Sequence, residues 1–211
     1  MNDHVMELTI GLTTTLWTMP EWVGTLFSVA MGIGLAAACG LRVFLPLFIA
    51  SVLAHFGVGG IGLSEDFGWM AEWPVMVALG VATAIELLAY YIPVIDHALD
   101  AVAVPLSTVA GTVAAMSTFL DLPPLLSWGL ALIAGGGLAG LVSTGTAATR
   151  VASTVKTAGL GNPVLATVET VGALLLSMLA WFAPLIALVV VVVLLVPVVR
   201  LVVRYRRRRT S

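Results

Sequence analysis

The chain has 211 residues, 60% of them hydrophobic and only 9% charged, with a mean hydropathy of +1.12. A soluble domain carries about a quarter charged residues, so this composition cannot cover a water-facing surface and points to an integral membrane protein. The net charge of −2 hides an asymmetry, because six of the nine basic residues lie in "RLVVRYRRRR", Arg200 to Arg209.

The first 21 residues contain no basic residue and no short apolar core before a small-residue cleavage site, which argues against a signal peptide. Asp3, Glu7 and Glu21 suit a solvated or interfacial segment instead. Apolar runs follow at roughly 22–57, 73–95, 101–120, 124–143 and 164–204. A crossing needs about 20 apolar residues, and the first and last runs would reach roughly 54 and 61 Å as single helices. Each must fold back.

The candidate break in the first run is "CGLR", with Pro46 close behind; in the last it is "WFAP", Trp181 to Pro184, where aromatics favour the interface and proline halts a helix. "YYIP", Tyr90 to Pro93, closes the span that begins at Pro74. Segment 143–163 is rich in Ser, Thr and Gly and too polar to face lipid. Such backbone survives at membrane depth only inside protein or beside a cavity. The reading is therefore all-α: one polytopic domain over 22–204, six spans near 22–40, 73–93, 100–120, 124–143, 164–182 and 185–204. Segments 41–57 and 146–160 are re-entrant or broken helices, a cytoplasmic loop being the alternative for the second. The basic tail, 205–211, is expected to be cytoplasmic in a plasma (inner) membrane. Lys156 and Arg150 then fall on that side, and Glu65, Asp66, Glu72 and Asp121 on the other.

"GIGLAAACGLRV" aligns with "GLVSTGTAATRV": Gly32, Ala36 and Gly40 match Gly140, Thr144 and Ala148, and Arg42-Val43 matches Arg150-Val151. Pro74 and Pro93 match Pro163 and Pro184. With three spans in each half, about 22–120 and 124–204, the second copy is inverted, as in many secondary transporters.

Charge at lipid depth singles out the candidate site. A lone charge at the bilayer centre costs at least ~2.5–3.5 kcal/mol, so it needs a partner or a cavity. Arg42 and Arg150 are candidates for binding an anion near the midplane, with Glu86 or Glu169 as partners for Arg42. The competing reading is a structural ion pair. Glu86, deeper in its span, is the better candidate to carry a proton, since burial disfavours the charged carboxylate. Glu169 can instead pair or cap near a helix start. "DHALD" places Asp96 and Asp100 four apart with His97 beside them. They are secondary candidates for a cation or proton relay, a solvated turn after Pro93 being the favoured alternative. Lys156 is a further secondary candidate. Cys39, the only cysteine, allows no intramolecular disulfide and reads as a packing residue.

No metal site and no cofactor is expected. "GGGLAG", Gly135 to Gly140, fits a dinucleotide pattern but lacks the strand and acidic residue that pattern requires. Close helix packing through Gly136 and Gly140 explains it better. Neither H-E-x-x-H nor G-x-S-x-G occurs, so no enzyme is expected.

"GLAAACGLRVFLPL", "YYIPVIDHALDAVAVPLSTVAGT" and "GTAATRVASTVKTAGLGNPVLATVE" resemble the bacterial membrane-protein family catalogued as domain of unknown function 4126. The resemblance covers most of 34–170 and implies a multi-pass membrane protein, with no activity to carry over. From the residues, the leading expectation is a transporter of a small, anionic solute, proton-coupled through Glu86 and homo-oligomeric. Its partners are the lipid bilayer and a small-molecule or lipid substrate, not nucleic acid. A lipid or lipid-phosphate translocase and a non-catalytic membrane scaffold are the alternatives.

Overall fold

The computed structural model describes residues 20–59, 62–120 and 122–209. Among them all regular structure is helical. Helix α1 spans Glu21–Leu41 and α2 Leu45–His55. A 3-10 turn, Glu65–Ala71, leads into α3, Trp73–Ala89. Then come α4, Pro93–Met116, and α5, Pro124–Leu130. A π-helical stretch, Ala131–Gly136, joins α5 to α6, Gly137–Thr157. Last are α7, Asn162–Phe182, and α8, Pro184–Arg209.

The prolines explain most of the starts. Pro46, Pro74, Pro93, Pro124 and Pro163 each sit at the first or second position of a helix, and Pro184 opens α8. A first-turn N–H has no partner within the helix, so its absence costs little there. "YYIP" and "WFAP" are accordingly both breaks.

Helix α1 is the hub, packed against α4, α6, α7 and α8. Its small residues make this possible. Gly32 faces Ala115 and Thr118, Gly34 faces Ala180 and Ala187, and Gly40 faces Ala139 and Val142, each with no room for a side chain. Gly136 and Gly140 press likewise onto Thr108 and Thr112 of α4, so the "GGGLAG" run is a close-packing motif. Cys39 is fully buried in the core around α1.

The outer faces are apolar. Val81, Ile85 and Leu88 on α3, Val168 and Leu175 on α7, and Ile186, Val189 and Val193 on α8 all point outward. Soluble monomers rarely expose apolar patches beyond a few hundred Å², whereas lipid contact demands them. Among the described residues three helices are long and apolar enough to cross a membrane: Trp22–Leu41, Pro124–Thr157 and Asn162–Phe182. A fourth appears if Glu65–Ala71 and Trp73–Ala89, bent by 65°, count as one span. The remaining expected spans correspond to shorter apolar stretches, Val102–Met116 and Pro184–Val196.

Two expectations need correction. Segment 146–160 is not a broken helix: α6 runs unbroken to Thr157, and the turn falls at 158–161, where Ala158 and Gly159 have positive φ. The hydroxyls of Thr144, Thr146, Thr149 and Thr157 donate to carbonyls three or four residues back. The polar segment thus satisfies itself within the helix, a familiar habit of Ser and Thr. "DHALD" is not a turn but the start of α4. The side chains of Asp96, His97 and Asp100 lie outside the described residues, as do residues 1–19, Asp121 and the side chains of the basic tail.

Candidate functional site: a buried arginine–glutamate cluster

The break after α1 is built from its neighbours. Arg42 leaves the helix in an extended conformation, φ −144° and ψ 126°, while its own N–H still donates to the Ala38 carbonyl at 3.0 Å. The next two N–H groups would be orphans in an apolar interior. Glu86 of α3 accepts both: Val43 N–H donates to Oε1 at 2.7 Å and Phe44 N–H to Oε2 at 2.9 Å. Two charge-assisted bonds to one carboxylate are strong in such surroundings. They hold the chain open just ahead of α2, where the helix dipole also favours negative charge.

The Arg42 side chain reaches the other way, onto one turn of α7. Nε donates to Thr170 Oγ1 at 2.9 Å and Nη2 to the Ala166 carbonyl at 2.6 Å. Nη1 lies 3.4 Å from Glu169 Oε2 and makes no hydrogen bond. Arg150, from α6, approaches the same carboxylate through Nε, 3.4 Å from Oε1, and through Nη2, in direct contact with Oε2. Both guanidinium carbons also stack on the Tyr90 ring, 4.1 Å (Arg42) and 4.0 Å (Arg150) from its centroid. A desolvated cation–π contact is worth about 2 kcal/mol or more.

All four ionisable residues are withdrawn from the surface: Arg42 is 1% exposed, Arg150 2%, Glu86 6% and Glu169 8%. The four leading candidates from the sequence thus meet at one place, and Arg42's ion-pair partner is Glu169. Lys156 does not join them. It is exposed in the last turn of α6.

Two features escaped the sequence reading. Tyr90 read only as an interfacial aromatic, yet it follows Glu86 by four residues and so shares its helix face. That spacing was the available signal. Position along α7 is the other. Trp181, at the far end of α7, donates to the Val58 carbonyl at 2.6 Å, whereas the Lys156 loop adjoins the start of α7. These two ends are about 30 Å apart at ~1.5 Å per residue. Glu169 lies only about 10 Å from the Lys156 end, so the cluster meets α7 nearer that end than its middle.

A helical bundle with apolar outer faces, a hub helix that breaks after 20-odd residues (Glu21–Leu41), and an interior ion cluster at the break defines a class: helical proteins with membrane-spanning segments. More particularly, the chain belongs to the family described as domain of unknown function (DUF4126), which matches residues 29–204. No curated protein and no solved structure matches it.

Proposed function

We propose that this protein is a small membrane transporter of an anionic solute. Arg42 and the amides of Val43 and Phe44 receive the anion, and Glu86 is the carboxyl that gives up its place. The observation that carries this reading is that two adjacent backbone donors at a helix start, a ready-made anion site, are held by the chain's own carboxylate. Secondary transporters place broken-helix termini at anionic groups in this way. Glu86 can leave the amides by taking up a proton, and a proton taken up with each anion would couple the two fluxes. We read the cluster as a binding site rather than a catalytic one.

The finer topology belongs to the same proposal: six crossings in two inverted halves, a cytoplasmic tail, and an oligomeric assembly in the plasma membrane. In its support, Gly68 and Ala71, which line one pocket with Trp181, and the Lys156 loop lie at opposite ends of α7. Cysteine labelling from each side of the membrane checks it, and labelling of both regions from one side would end it.

The functional test is uptake of labelled small anions (phosphate, acetate, succinate) into proteoliposomes. Arg42→Gln should abolish uptake of the transported anion while the protein still folds, and Glu86→Gln should abolish its pH dependence. Unchanged uptake by folded Arg42→Gln would refute the proposal. Collapse of folding without any wild-type uptake would favour the scaffold reading.

A further inference from the structure

Helices α3 and α4, joined through Tyr90 to Ile92, pack little against each other. Between them lies a cavity of about 230 Å³. Its inner end is formed by Val43, Phe44, Glu86 and Tyr90, the residues of the break and its cap. Its walls are apolar, and Ile85, Val102 and Leu106 at its rim are 63%, 49% and 43% exposed on the outer surface. The groove therefore opens sideways, onto faces that meet lipid.

We propose that this groove admits, from the bilayer, a single-chain amphiphile with a carboxylate head. The head replaces Glu86 at the Val43 and Phe44 amides, and the tail lies along Val102 and Leu106. The proposal rests on the anion-transport reading and names what is carried.

Three observations support it. The two amides already bind the two oxygens of one carboxylate, at 2.7 and 2.9 Å. A phosphate head would push further charged oxygens against apolar walls, where unpaired charge is costly. A hydrated small ion would lose its water along those walls with nothing polar in exchange, whereas an alkyl tail is at home there.

The test uses the full-length protein in lipid nanodiscs, irradiated with a diazirine-tagged decanoate, with adducts mapped by mass spectrometry. Adducts should concentrate on Ile85, Val102 and Leu106. Excess decanoate should remove them, while decanol, acetate and decyl phosphate compete at least tenfold more weakly. Ala103→Trp, which fills the groove away from the ion cluster, should lose them. Adducts spread equally over outer residues such as Val168 and Val189 would overturn the proposal. So would competition by decanol or decyl phosphate as effective as decanoate; these competitor arms need only the wild-type protein. If no saturable adduct forms while Arg42 still governs uptake of a water-soluble anion, the amphiphile falls and the transport reading stands. Saturable adducts without Arg42-dependent uptake of phosphate, acetate or succinate support the groove and remove transport of water-soluble anions.

Discussion

Arg42 and Arg150 carry the same two-residue signature, Arg-Val, and share one carboxylate and one aromatic ring, yet their backbones differ completely. Arg42 stands in an extended break between two helices, and Arg150 lies inside an unbroken one. The arginine therefore does not make the break. At Arg42 the freed amides find an outside acceptor in Glu86, and Pro46 suits the first turn of a new helix. Around Arg150 no proline follows, and threonine hydroxyls bond back to the preceding turn. A helix at lipid depth breaks where another element can satisfy the groups it releases.

Removing what the two sites share should give the largest effect. Glu169→Leu strips both guanidiniums of their common carboxylate, and breaking a buried pair from one side costs about 3–5 kcal/mol. Unfolding of purified protein in SDS should show it, and Glu169→Gln should lose less because an oxygen acceptor remains. Next comes forcing the second site to resemble the first. Thr154→Pro puts a proline four residues after Arg150, as Pro46 follows Arg42. With no carboxylate waiting for the released groups, and with the Asn162–Thr154 side-chain bond lost, it should cost about 3 kcal/mol or more. A stable, active Thr154→Pro protein would mean that α6 can break after all. Glu86→Leu should act on the first site alone, at about 1–3 kcal/mol for each amide left unsatisfied. Hydrogen exchange at Val43 and Phe44 should rise while the peptide around Arg150 stays protected.

The comparison also explains what could be read in advance. The meeting of Arg42, Arg150 and Glu169 was legible because charge in an apolar run must find charge, and the chain offers few choices; that Glu86 would instead hold two backbone amides was not. The break at "CGLR" was legible from run length and Pro46. The continuity of α6 was not: a Ser/Thr-rich segment looks like irregular backbone until its hydroxyls are seen bonding three or four residues back. Composition records polarity, not which acceptor satisfies it. Tyr90 was hidden for a related reason, since an aromatic beside a proline suits an interface as well as it suits a stacked cation. The cluster's place along α7 depended on where Trp181 anchors the far end of that helix, a contact 123 residues apart in sequence.

The smallest expected effect separates the two causes of the first break. Pro46 and Glu86 both favour it, one by what it forbids and one by what it holds. Pro46→Ala removes the prohibition, and alanine is free to extend α1 straight through residues 42–46. If proline alone made the break, the helix would fuse, Val43 and Phe44 would turn their N–H groups to Cys39 and Gly40, and Glu86 would be left buried without its donors. That outcome carries a charged group into an apolar interior unpaired, which is far costlier than any gain in helix length. The break should therefore persist in Pro46→Ala, with stability altered by only about 0.4–1 kcal/mol, mostly through the unfolded chain. Exchange at Val43 and Phe44 should stay slow in Pro46→Ala alone. In the Pro46→Ala, Glu86→Leu double variant it should stay slow again, this time because the amides have found helical partners, while Glu86→Leu alone exchanges fast. A fast-exchanging double variant would mean that neither residue, but the packing of Arg42 onto α7, keeps the chain open.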